Sequence, residues 1–171
     1  GHPDMTGTPG IDMSSGSLRQ GISAACGMAL AGKMDKKDYR VYTVLGDGEI
    51  EEGQVWEAAM FAAHHNLDNL CAIVDSNGLQ IDGEPIDEKF RAFGFDVQVI
   101  DGNNFDEIEK AFNHAKTVKG KPSAIIAKTV KGKGVSYMED QVGWHGKAPN
   151  ADEYETAMKE LNNTLSGLEA E

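Results

Sequence analysis

The chain reads as an α/β protein built on a doubly wound parallel sheet, and three observations predict this. Four apolar runs, Val41–Leu45, Leu70–Val74, Asp96–Ile100 and Ser123–Lys128, alternate with segments of helical pattern. Two of these runs end in glycine- and amide-bearing turns, Gly46-Asp47-Gly48 and Asp75-Ser76-Asn77, with thirty positions between Asp47 and Asn77. The Ser123–Lys128 run is almost wholly apolar, as a strand buried on both faces must be.

Residues 1–15 are interrupted by prolines and glycines and read as an extended loop. Ser14 or Ser15 is placed to cap a helix over about 17–34, whose Ala, Gly and Met suit close packing against a sheet. After the strand from Val41 comes a helix over roughly 53–66, then the strand from Leu70 and a loop holding Asp82-Gly83. A short helix over about 87–93 precedes the third strand, and a helix from Phe105 to about Lys119 precedes the fourth. A Gly/Lys loop over 129–150 leads to an amphipathic helix over about 151–165. The segment KTVKGK occurs at 116–121 and again at 128–133, closing first a helix and then a strand. It reads as a solvated lysine-rich face, with attraction for phosphorylated sugars as the alternative.

With 171 residues, the chain is expected to form one domain with a substantial core. A hydrophobic share of 40% against 26% charged is ordinary for a globular protein. The net charge of −12 repels nucleic acid and anionic membrane alike, so neither is an expected partner. No apolar run approaches the roughly 18–20 residues needed to span a bilayer. The start lacks a basic region followed by an apolar one, and a cytoplasmic protein is expected. It opens on Gly-His without methionine, which reads as a fragment or processed product. Cys26 and Cys71 have no metal-ligand spacing and read as buried small hydrophobes in a reducing compartment.

Joined as a β-helix-β unit, the first two strands would bring Asp47 and Asn77 side by side at their carboxyl ends, where open α/β sheets bind ligands. A carboxylate beside an amide oxygen suits Mg²⁺, which takes oxygen ligands and shares them with phosphates. Flanking glycines allow a diphosphate to approach the backbone without meeting a Cβ. Asp47 alone could equally cap the helix that follows.

The run GDGEIEEGQVWEAAMFAAHHNLDNLCAIVDSNGLQIDG resembles the thiamine-diphosphate motif of transketolase. GHPDMTGTPGIDMSSGSLRQG at the start and QVGWHGKAP near the end resemble the same family, so the likeness runs from Gly1 to about Leu165. It implies a thiamine-diphosphate-binding fold, and one half of a split transketolase lacking its upstream segment. By resemblance, Asp47 and Asn77 give side-chain oxygens to Mg²⁺ and Leu79 its backbone carbonyl. Gly46 and Gly48 line the diphosphate, Ile81 packs on the cofactor rings, and Gly16-Ser17-Leu18 approaches the cofactor from a helix start. His145 touches the diphosphate and the substrate's reacting oxygens, and His2 contacts the donor substrate. Glu52 and Glu57 belong to a carboxylate network at a subunit interface. Arg19 departs from the pattern, standing where the motif has glycine. Its side chain points outward, pairs with a phosphate, or obstructs the ring pocket.

The family's reaction moves a two-carbon ketol unit from a ketose phosphate to an aldose phosphate. Its pyrimidine-binding domain, which carries an indispensable glutamate, has no counterpart in these residues. The resemblance therefore implies a homo- or hetero-oligomer with a pyrimidine-domain subunit, and little or no activity of this chain alone. Two other readings stand beside it. One is a different thiamine-diphosphate component, of 2-oxoacid dehydrogenase or deoxyxylulose-phosphate synthase type; the other is a non-catalytic metal–diphosphate module or remnant.

Overall fold

Strands β1 (Val41–Gly46), β2 (Leu70–Ser76), β3 (Asp96–Asp101) and β4 (Ser123–Lys128) form one sheet in the order β1-β2-β4-β3, every pair parallel. The structure, a computed structural model, describes residues 2–80 and 85–168. The chain comprises two compact units, 1–128 and 129–171. Interior β4 is buried at every position but its last, as its unbroken apolar run requires.

Helices cover both faces of the sheet. On one, α1 (Gln20–Met34), α2 (Gly53–His64) and α3 (Ile86–Ala92) bury Ile22, Ala25, Val55, Ala59 and Phe90 against Leu45, Leu70, Val74 and Ile126. On the other, Ala111 and Ala115 of α4 (Phe105–Thr117) pack on Cys71 and Ile125. Small residues let α1 lie close to its neighbours: a Cβ on Gly32 would meet the Tyr39 ring within 3.0 Å. Trp56 joins α2 to α3 through Phe90 and Phe93, with ring centroids 5.1 and 5.3 Å apart. Phe90 is fully buried, which stabilises this junction by roughly 1.5–3 kcal/mol.

The expected serine cap is not what starts α1. Its N-cap is Arg19, without a side-chain cap, while the Ser14 hydroxyl accepts the Met5 amide and donates to Asp4. Serine here serves the loop over 2–18 rather than the helix, because Asp4 and Ser14 are ten positions apart and close that loop on itself. Elsewhere α4 follows the usual rules, with the Asn104 side chain accepting the amides of Asp106 and Glu107.

The second unit holds the loop from Thr129 and α5 (Ala151–Leu168). Asn150 and Glu153 cap α5 reciprocally: the Asn150 amide oxygen accepts the Glu153 N–H at 2.9 Å, and the Glu153 carboxylate accepts that of Asn150 at 2.7 Å. The loop is fastened to this helix by Ser136 donating to Glu160 and by the Tyr137 hydroxyl donating to the Glu153 carbonyl. Among the described residues no helix is long and apolar enough to cross a membrane.

Candidate functional site

The carboxyl ends of β1 and β2 lie level, with Gly46 opposite Asp75, and the Asp47 amide continues the ladder by donating to the Asp75 carbonyl at 3.1 Å. That extra rung turns the Gly46–Gly48 segment toward the loop after β2. Asp47 is only 5% exposed. One carboxylate oxygen accepts the amide of its neighbour Gly48 at 2.9 Å, and the other accepts that of Gly78 at 2.9 Å, thirty-one positions away. Asp47 caps neither the 3₁₀ turn that follows, whose N-cap is Gly48, nor α2, whose N-cap is Glu52; its second bond ties the two motif loops directly together. On the facing loop, the Asn77 side-chain oxygen accepts the Leu79 amide at 3.1 Å. Gly78 has φ +73°, a conformation that glycine adopts without a Cβ penalty.

A buried carboxylate taking two amide donors retains unused lone pairs, and among the described residues no lysine, arginine or histidine pairs with Asp47. Leaving such a charge uncompensated is costly, so the residues fit a divalent cation. Among the described residues no three His, Cys, Asp or Glu side chains gather as a metal cluster. One carboxylate joined by neutral oxygens of the facing loop, such as the Asn77 side-chain oxygen, would suit Mg²⁺ rather than zinc. Gly48 is exposed and Gly46 partly so; a Cβ on Gly48 would meet nothing within 4 Å, leaving open space over the turn.

The loop before α1 brings two more anticipated residues together. Gly16 lies directly beneath the His2 imidazole, and a Cβ there would overlap the ring. Leu18 is exposed, and beside it opens a cavity of about 660 Å³ lined by Ile11, Met13, Leu18, Met28, Val41 and Glu49. Arg19 adopts φ +73°, the left-handed region, which explains why the motif has glycine at this position. Its side chain makes a contact that was not among the three outcomes expected for it: Nη1 lies 3.0 Å from the Glu52 carboxylate, both side chains about 40% exposed. Glu52 is also the N-cap of α2, and Glu57 is exposed further along that helix.

Sequence reasoning missed Glu49. Its carboxylate accepts the Arg19 amide at 2.7 Å and the Gly46 amide at 3.2 Å, bridging the two glycine-bearing segments. GDGE places an acid two positions after Asp47, but nothing in the sequence separates one that folds back on the turn from one that faces solvent. Ile81 lies outside the described residues. His145 belongs to the second unit, exposed, after the 3₁₀ turn Val142–Trp144. Trp144 holds that turn by donating its indole N–H to the Tyr137 carbonyl at 3.1 Å, with the Lys147 ammonium 4.0 Å above its ring. The other histidines have local roles: His114 meets Asp96 at 2.8 Å, and His64 and His65 contact each other.

Residues 1–165 match the family described as "Transketolase, thiamine diphosphate binding domain". The chain belongs to that family. Within it, the chain is 50% identical over 168 residues to the 6-deoxy-6-sulfo-D-fructose transketolase subunit of Clostridium sp. (strain MSTE9), covering 94% of this chain and 61% of that protein. It is 42% identical to an apulose-4-phosphate transketolase subunit from Phocaeicola vulgatus, covering 100% of this chain and 63% of the relative. The chain thus spans about three fifths of the length of these curated relatives. The transketolase structure from Campylobacter jejuni superposes with a TM-score of 0.81 at 35% identity, over 94% of this chain and 27% of that one. A transketolase complex with sedoheptulose 7-phosphate from Pichia stipitis gives 0.81 at 29% identity, over 94% and 26%. The transketolase fold of the thiamine-diphosphate-binding domain is therefore the fold of this chain.

Proposed function

We propose that this chain is the diphosphate-binding part of a transketolase that moves a two-carbon ketol unit between sugar phosphates, using thiamine diphosphate and Mg²⁺. The hydrogen bond from the Gly78 amide to Asp47 carries the reading, because it ties the two motif loops together at a buried carboxylate that has no cationic partner among the described residues. Asp47, the Asn77 amide oxygen and the Leu79 carbonyl would hold the metal. Gly46, Gly48 and the Gly16–Leu18 loop would line the diphosphate, and Ile81 would pack on the rings. When bound, thiamine diphosphate supplies a carbon nucleophile and an electron sink for the transferred unit.

The protein's own part is to bind, orient and move protons. His2, stacked over Gly16, and His145, on its indole-braced turn, are the groups to orient and protonate the substrate's oxygens. The family match runs through both compact units. A pyrimidine-binding subunit would complete the site, as the word "subunit" in the names of the two bacterial relatives supports. Glu52 and Glu57 would lie toward that interface. Ketose phosphates are the substrate class, supported by the fold shared with an enzyme holding sedoheptulose 7-phosphate. A cytoplasmic location accords with the acidic charge and the two free cysteines.

The experiment is co-purification with a pyrimidine-domain subunit, followed by a ketol-transfer assay on ketose phosphates and, separately, on pyruvate. Transfer from a ketose phosphate by the pair, and little by this chain alone, is expected. Turnover of pyruvate instead would assign the 2-oxoacid chemistry, and robust transfer by the single chain would remove the need for a partner.

A further inference from the structure

The Glu49 carboxylate occupies an unusual place. It accepts one amide from Gly46, at the end of β1, and one from Arg19, at the start of α1, with a different oxygen for each. Those amides belong to segments twenty-seven positions apart, and the one carboxylate joins them. Arg19 adds a second tie from the same segment, its guanidinium on Glu52, the N-cap of α2. Helix α1 has no side-chain cap of its own, so the Glu49 carboxylate also provides negative charge at its N-terminal end, where the helix dipole favours it.

We propose that Glu49 is a positioning residue, a clasp that fixes the gap between the Gly16–Leu18 loop and the Gly46–Gly48 turn and so sets the width of the diphosphate cradle. The inference rests on the cofactor reading above and deepens it. Charge-assisted bonds to two backbone amides hold a loop more tightly than packing of exposed Leu18 could. Arg19 accepts a left-handed backbone in this place. Its ion pair with Glu52 keeps that strained residue, and with it the amide that Glu49 grips, in one position.

The experiment compares the full chain with Glu49→Ala and Glu49→Gln. Amide hydrogen exchange at Gly46 and Arg19 is followed without cofactor, and thiamine diphosphate affinity is measured by calorimetry at saturating Mg²⁺ on the chain paired with a pyrimidine-domain subunit. Both amides should exchange at least about tenfold faster in Glu49→Ala, and affinity should fall about tenfold, while the cofactor-free melting temperature shifts little. Glu49→Gln keeps one acceptor and should fall between. Unchanged exchange would show that the clasp does not exist. Faster exchange with unchanged affinity would show a clasp that positions nothing, and unfolding of both variants would make Glu49 a folding residue only. If the unsubstituted chain, paired with that subunit, binds no thiamine diphosphate, the cofactor reading fails, and the positioning role with it; the exchange rates then still report separately whether the clasp is there.

Discussion

Asp47 shows what one side chain must satisfy at this edge. It is buried, it accepts two amides, and among the described residues it has no cationic partner. Asp47→Asn keeps the shape but removes the charge and turns one acceptor into a donor facing an amide. Stability should fall by about 1–3 kcal/mol, and Mg²⁺-dependent cofactor affinity by at least about a hundredfold, measured by denaturant unfolding and calorimetry. Arg19→Gly should behave quite differently. Glycine removes a left-handed strain of about 1 kcal/mol and loses an exposed ion pair of similar or smaller worth. A net change within about 1 kcal/mol is expected, again by denaturant unfolding. Gly16→Ala should displace the His2 ring, seen as a shift of its imidazole resonances, while the melting temperature stays put because both residues are exposed. At this scale Asp47, Asn77 and the glycines were legible from residue type and spacing. Glu49 was not, because an acid after GDG looks the same whether it faces solvent or folds back on the turn.

Among the elements, the strands are legible because apolar β-branched runs bounded by turns have few other uses. Their exact partners are not: the order β1-β2-β4-β3 depends on crossover connections that periodicity cannot encode. The start of α1 departs from the serine-cap expectation for a physical reason. Ser14 has a competing partner in Asp4, and the amide at the helix start is taken by an acid thirty positions away. A second long-range tie fixes the amino ends of the sheet. Asp68 accepts from Lys33 at 2.8 Å and from the Gly120 amide at 2.9 Å, joining α1 to the turn before β4. Partial burial raises its pKa, but the Gly120 amide and then Lys33 outweigh it and hold the carboxyl below its ordinary value. A depressed folded value means the contribution is complete above the unfolded pKa of about 4 and is lost as pH falls through the folded one. Asp68→Asn should therefore lower stability at neutral pH and make the acid limb of the stability curve shallower below about pH 4, by denaturant unfolding across pH.

For the whole molecule, the sheet and its helices place Gly46, Asp47, Gly48 and Asn77 at one carboxyl edge of the first unit, and the second unit carries His145 on a separately braced loop. The cysteines take no part. Burial pushes the Cys26 and Cys71 thiols up to about 11, so both stay protonated and unreactive at neutral pH. Family membership was readable because GDG, the distant asparagine, GHPD and WHGKAP occur together, whereas the division into two compact units left no compositional mark. The most direct measurement of the central claim is a calorimetric titration of the full chain, paired with a pyrimidine-domain subunit, with thiamine diphosphate, with and without Mg²⁺, repeated on Asp47→Ala and Asn77→Ala. Binding that requires Mg²⁺ and disappears in both variants is predicted. Binding that ignores the metal, or survives the loss of both oxygen donors, would contradict it.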